Sequence, residues 1–256
     1  MTGFQSVLSD PRGSMRGMTS TGQLELVALD AQDIETLASF YAELTGWEVV
    51  RKESDWITIR TRDGREVAFQ LAPDHVPPQW PAQANPQQVH LDLQVDGYLA
   101  AAERAVGLGA TRLADGPSWV TLADPAGHPF DLCQKDGVGP VMDLFAVTID
   151  APDAPALARF YAALLGLDLT YEGPEGALIT GGGTSVMFQQ VSDYNPPRWP
   201  DPARAQQAHL DITVGDLDAG EARVLELGAS RLDAGGPRFR VFADPAGHPF
   251  CLTLNT

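Results

Sequence analysis

Two histidines stand in nearly identical surroundings, His90 in "QQVHLDLQV" and His209 in "QQAHLDITV", and each is followed two residues later by an aspartate, Asp92 or Asp211. In an extended chain residues two apart project from one face, so each His–Asp pair shares a face while Leu91 and Leu93 take the other. An imidazole beside a carboxylate suits two jobs: lining a polar cavity that binds a ligand, or acting as a general base that the aspartate orients. His90 and His209 are therefore the candidate catalytic residues, and Asp92 and Asp211 candidate ligand contacts. Gln70 and Gln189 end the strand-like runs "VAFQ" and "VMFQ" and offer amide donors to a ligand. The Pro-rich segments "PPQWP" and "PPRWP" deliver Trp80 and Trp199, rigid aromatics that either cover a planar ligand or pack one half of the chain on the other. Arg198 stands where the first half has Gln79, so identical specificity is not expected.

A second repeated string, "ADPAGHPF", occupies Ala123–Phe130 and Ala243–Phe250 without a difference. Asp-Pro-x-Gly between strands is turn chemistry: Asp accepts backbone hydrogen bonds, Pro fixes φ, and Gly supplies a positive φ. Asp124, His128, Asp244 and His248 read as architecture. The identity ends at the next residue, Asp131 in one half and Cys251 in the other, so the sites have diverged.

These strings belong to a duplication of the whole chain. "DIETLASFYAELTGWEVV" returns as "DAPALARFYAALLGLDLT", and the offset between copies stays at 119 or 120 residues. Within the first half "LELVAL" predicts a strand. Asp33 caps a helix with Ile34, Leu37, Phe40, Tyr41 and Leu44 at helical spacing, and Gly46 ends it. "WEVVR", "WITIRT" and "EVAFQL" follow as strands, the last two joined at Asp63-Gly64. After "APDHVPPQWPAQANPQ" the order restarts: strand, the helix "GYLAAAERAVGL" stopped by Gly109, then "TRL", "SWVTLAD" and "PFDLCQ". The fold class is α+β, with four βαβββ units in tandem pairs. The expected limits are a loose tail at 1–22, domains at 23–135 and 142–256, and a linker at 136–141.

The bulk numbers narrow the partners. At 256 residues, 44% apolar and 20% charged, the chain can bury real cores and has no apolar run of membrane-spanning length. A formal charge of -17 repels phosphate backbones and anionic lipid, so neither nucleic acid nor membrane is an expected partner. Two cysteines, Cys133 and Cys251, and no apolar leader predict a cytoplasmic protein. The partner expected is a small molecule. A monomer suffices, since one chain holds what two copies of a single domain would supply, and a homodimer is the alternative.

On these motifs, the "D-x6-FY" helix, the "HLD" strand, the "LGA" helix end and the closing "DPAGHPF", the sequence resembles the vicinal oxygen chelate superfamily. That group includes glyoxalases, bleomycin-resistance proteins and extradiol dioxygenases. The resemblance implies paired βαβββ units forming curved sheets, with a ligand cup in each concave face, and leaves open which units pair. It also implies metal ligands on the first strand of one unit and on the first and last strands of its partner. Position by position the first-strand ligand falls on Leu26 and Ala146, which cannot bind a metal. The next falls on His90 and His209, and the last on Asp131 and Cys251. His90 with Asp131 is then an incomplete set for a divalent ion (Zn, Fe, Mn or Ni), and alternation places neighbouring Glu25 on the opposite face. Cys251 reads as a cavity-lining residue ahead of a nucleophile. Two function classes follow: a small-molecule binder, of the antibiotic-sequestering kind, or a metal-dependent lyase or isomerase acting on a carbonyl compound through His90 and Asp131.

Overall fold

The computed structural model describes residues 20–82, 84–201 and 204–254. The first half holds β1 (Gly22–Ala31), α1 (Ile34–Thr45), β2 (Glu48–Lys52), β3 (Trp56–Arg60) and β4 (Glu66–Leu71), then β5 (Val89–Val95), α2 (Tyr98–Gly107), β6 (Thr111–Asp115), β7 (Trp119–Ala123) and β8 (Pro129–Gln134). The second half repeats the order with β9 (Asp143–Ala151), α3 (Ala154–Leu165), β10 (Asp168–Gly173), β11 (Gly176–Gly181) and β12 (Thr184–Gln190), then β13 (Ala208–Val214), α4 (Leu217–Glu226), β14 (Ser230–Gly236), β15 (Phe239–Ala243) and β16 (Pro249–Leu254). These are the four βαβββ units. β1 starts at Gly22, inside the segment expected to be tail.

The strands form two eight-stranded sheets, ordered β14-β15-β16-β13-β1-β4-β3-β2 and β10-β11-β12-β9-β5-β8-β7-β6. Each sheet thus takes one unit from each half of the sequence, the first with the fourth and the second with the third. Within a unit the first and last strands run parallel and the rest antiparallel, as for Asp92 opposite Asp131 and Asp211 opposite Cys251. The chain divides into two compact bodies, one of residues 26–147 with 197–209, the other of the described residues in 1–25, 148–196 and 210–256. Among the described residues no helix is long and apolar enough to cross a membrane.

Local rules account for the helices. Asp33 accepts from the Thr36 amide at 3.0 Å, and Gly46 closes α1 at φ 79, a left-handed value that glycine adopts at little cost. Between those caps Ile34, Leu37, Phe40, Tyr41 and Leu44 are buried. Tyr41 stacks on Phe69 of β4 at 5.5 Å and meets Phe130 of β8 edge-on at 5.9 Å, the two arrangements that ring quadrupoles favour. The other body repeats this with Tyr161, Phe188 and Phe250.

The repeated octapeptide ties these helices to the sheets. Asp124 Oδ1 accepts from the Ala126 and His128 amides at 2.9 and 3.0 Å, and its Oδ2 accepts from the Tyr41 hydroxyl at 3.0 Å and faces His128 Nδ1 at 3.2 Å. Gly127 at φ 92 completes the turn, and a Cβ there would come within 2.6 Å of Pro77. Burial works against a charge on His128, yet Asp124 outweighs it and holds that imidazole above its ordinary range. Removing the carboxylate strands all of these donors in the interior. Asp124→Ala is expected to lower stability by about 3–5 kcal/mol, and Tyr41→Phe by about 1 kcal/mol, read from urea unfolding followed by tryptophan fluorescence.

Candidate functional site

Pleating of β5 sends Leu91 and Leu93 into the core, at 1% and 0% exposure, and His90, Asp92 and Gln94 to the other face. The register brings Asp131 of β8 beside Asp92, with Thr121 of β7 across from it. His90, Asp92 and Asp131 each place a nitrogen or oxygen within 4.8 Å of the others. His90 Nε2 lies 3.8 Å from Asp92 Oδ2, and Gln87 Nε2 lies 3.2 Å from His90 Nδ1. Burial lifts the Asp131 carboxyl above its ordinary range, against the pull of His90 and a hydrogen bond with Thr121. Its Oδ1 is buried without a hydrogen-bond partner among the described residues. Burial and the charges of Asp92 and Asp131 push the neighbouring Cys133 thiol well up, so it stays protonated.

The second histidine heads a different arrangement. His209, Asp211 and Cys251 also bring one donor atom each within 4.8 Å. Burial pushes Asp211 up to about 7, helped by the charge of Glu25 and opposed by a hydrogen bond with Cys251. The Cys251 thiol is itself raised by burial and then by Asp211, which makes it a hydrogen-bond donor rather than a nucleophile. Burial holds His209 down to about 4, a neutral imidazole. Gln206 Nε2 lies 3.3 Å from its Nδ1 and donates to Asp30 Oδ2 at 3.0 Å. The Trp56 ring stands 6.3 Å from the imidazole, tilted by 52°.

Leu26 and Ala146, at 6% and 0% exposure, are as apolar in place as in sequence. Gln70 is paired with Asp30 across β1–β4, and Gln189 donates to Asp150 at 3.2 Å. Trp80 and Trp199 are half-buried in the loops before β5 and β13.

The expectation for Glu25 is corrected. Its Oε2 accepts from Thr213 at 2.7 Å and Thr253 at 2.9 Å, threonines in step with Asp211 and Cys251, so the carboxylate reaches their face. The cause is a slip in the alternation of β1. A Cβ on Gly22 would strike Ile212 and Val214, on the helix side where Gly220 of α4 also meets Val214, whereas Leu26 packs with Ala28, Ala68 and Trp56 on the other side. One residue between them breaks the period of two, as a bulge does.

Sequence reasoning also missed Trp56, Asp30, Gln87 and Gln206. The signal for the glutamines was present in the repeated "QQ" three residues before each "HLD". Trp56 carried none, since Gly176 occupies the matching place in the second half.

The family described as "Glyoxalase-like domain" matches residues 26–133 and again 146–253. No protein with a curated description matches the chain. Glyoxalase I from Zea mays is similar in fold, at 17% identity and TM-score 0.63 over 91% of this chain and 92% of that one. A glyoxalase-related enzyme from Fulvimarina pelagi aligns at 24% identity and TM-score 0.37, over 48% of this chain and 97% of its own.

The raised carboxyl of Asp211 gives a pH signature. A group moved from 3.8 to about 7 keeps its proton in the folded chain after the unfolded chain has released it, so its contribution to stability falls between about pH 4 and 7. His209, lowered from 6.5 to about 4, acts oppositely over pH 4 to 6.5, and the parent curve partly cancels. Asp211→Asn removes one arm. Its stability relative to the parent is expected to rise by on the order of 2 kcal/mol from pH 4 to pH 8, in denaturant titrations at each pH.

Proposed function

The chain belongs to the glyoxalase-like domain family in both of its halves, and on that premise we propose that it binds a small molecule whose ammonium or other hydrogen-bond-donating group docks on His90, Asp92 and Asp131. The observation that carries this reading is the Oδ1 of Asp131, without a hydrogen-bond partner among the described residues, in a cluster of two carboxylates and one imidazole. Two buried carboxylates so close together call for a proton or a cation between them. Lys135 is engaged by Gln94 at 2.8 Å and Asp143 at 3.5 Å. A ligand that brings its own positive group supplies what is missing, and the chain's charge of -17 draws it in. Sequestration of a cationic antibiotic is one use of such a site.

A second reading has its own support. Three donor atoms within 4.8 Å equal the number that a catalytic metal centre usually takes from protein, one more than His90 and Asp131 alone supply. The residues fit a divalent ion: His90, Asp92 and Asp131 would hold it, and the raised carboxyl of Asp131 is what a cation would relieve. Bound there, such an ion would supply Lewis acidity toward a substrate carbonyl, the chemistry of a lyase or isomerase.

Metal analysis of protein purified without chelators or added metal separates the two. Binding without metal predicts well under one equivalent, and a tryptophan-fluorescence titration with amine-bearing antibiotics that saturates, leaves the compound unaltered and weakens about tenfold or more in Asp131→Asn. Near-stoichiometric metal, lost in both His90→Ala and Asp131→Ala, would sink that reading in favour of the second.

A further inference from the structure

The sheet face that carries His90, Asp92 and Asp131 continues past the carboxylates. Gln94 of β5, Cys133 of β8 and Trp119 of β7 stand opposite one another one step further along it, while Leu93, Leu132 and Val120 between them are buried on the other face. The charges of Asp92 and Asp131 act on the Cys133 thiol, which places it beside the cluster. Trp119 is the cross-strand neighbour of Cys133 and the diagonal neighbour of Asp131. Diagonal neighbours in a sheet are about 7–8 Å apart, a gap that an aromatic side chain spans.

The hairpin from β6 to β7 is built around this ring. Gly116 faces Trp119 across it and donates its amide to the Trp119 carbonyl at 2.9 Å. A Cβ on Gly116 would come within 2.2, 2.3 and 2.5 Å of Cε2, Cδ2 and Cζ2 of the indole. Those atoms lie at the bond shared by the two rings, and a point so near all three lies over a ring face, so the indole rests flat on the glycine. The backbone at Gly116 has no left-handed φ that would itself call for glycine; the ring calls for it. The other body repeats the device with a different ring: a Cβ on Gly236 would stand 3.0 Å from Phe239, which is 41% exposed. Trp119 is half-buried, so a ring held in place by the backbone keeps surface to offer a ligand.

We propose that Trp119 is a specificity-determining residue of the His90, Asp92 and Asp131 site, an aromatic wall that selects amines carrying an aromatic ring. The inference rests on the small-molecule reading and names the class of ligand. An ammonium docked on Asp131 leaves its substituent to run along the face, past a protonated thiol, to the indole. A ring stacked there gains contact that an alkyl chain matches poorly, and the nearby positive charge is drawn to the same π-face.

Calorimetric titration with two monoamines, tryptamine and butylamine, tests it in the full chain. The parent is expected to prefer tryptamine by about tenfold, and the preference to shrink to within about twofold in Trp119→Ala. Trp119→Phe, which keeps a ring, is expected to retain most of it. Gly116→Ala keeps the indole but drives a methyl group into its resting place, and is expected to cut the preference by about threefold or more. That variant separates the placement of the ring from its presence, and urea unfolding shows that each variant is folded. Asp131→Asn is expected to weaken both amines alike. If both amines bind and weaken in Asp131→Asn, but the parent shows no preference or Trp119→Ala and Gly116→Ala leave it intact, the aromatic wall is overturned and the ammonium reading stands. Failure of both amines to bind overturns the two together.

Discussion

The bond from the Tyr41 hydroxyl to the Asp124 carboxylate at 3.0 Å, with its copy from Tyr161 to Asp244 at the same length, is the contact on which the rest of each body hangs. A helix laid on a sheet by apolar contact alone can slide and rotate. One buried carboxylate that accepts from a helix side chain and two turn amides removes that freedom, because any displacement strands a polar group in the core. The turn it closes feeds straight into β8, whose third residue is Asp131. Helix placement, turn geometry and the aim of the site carboxylate are consequences of one interaction, which explains why all eight residues of the motif are the same in both copies.

The sites carry an opposite constraint. Carboxylates are buried there with less compensation than in the turns, and the chain has resolved this differently in its two halves. At Asp131 an oxygen is left without a partner among the described residues. At Asp211 a thiol donates to the carboxylate, Glu25 adds a charge nearby, and the group is pushed to about 7. The histidines separate in the same spirit: the Trp56 ring stands 6.3 Å from His209, and the second half has Gly176 in place of Trp56. Strain of this kind is tolerated where a binding partner relieves it.

The fold was legible because it is written in short-range signals. Caps at Asp33 and Gly46, helical spacing in "IETLASFY", and alternation in "VHLDLQV" each depend on neighbours within one turn or one strand, and the elements match to within a residue or two. The site was legible only where it inherited that regularity: His90, Asp92 and Asp131 share a face because pleat and register say so. Glu25 went astray for the same reason, since a period of two cannot announce where it slips. The bond between Asp30 and Gln206 was invisible in a deeper sense. It joins residues 176 positions apart, and although the repeated "QQ" marks Gln206, nothing local marks Asp30 as its partner.

The loops show how far identical backbone demands an identical side chain. Ala126 and Ala246 hold equivalent places in the repeated turn, both half-buried, and each carbonyl accepts from a side chain outside the motif. In one body His75 Nε2 donates to the Ala126 oxygen at 3.0 Å, and in the other the Tyr194 hydroxyl donates to the Ala246 oxygen at 2.8 Å. The acceptor must be satisfied, but the donor is free to change. The two solutions differ in cost. The His75 ring lies 4.8 Å from that of His128, tilted by 35°, and burial with that neighbour's charge holds it down to about 4, with Nδ1 left partnerless among the described residues. Tyr194 meets the same need with a group that stays neutral and approaches His248 Nε2 at 3.1 Å. Duplication therefore preserved what the backbone requires and released whatever only the side chains decide. Asp131 and Cys251 are of the second kind, and they diverge immediately beyond a motif that did not change.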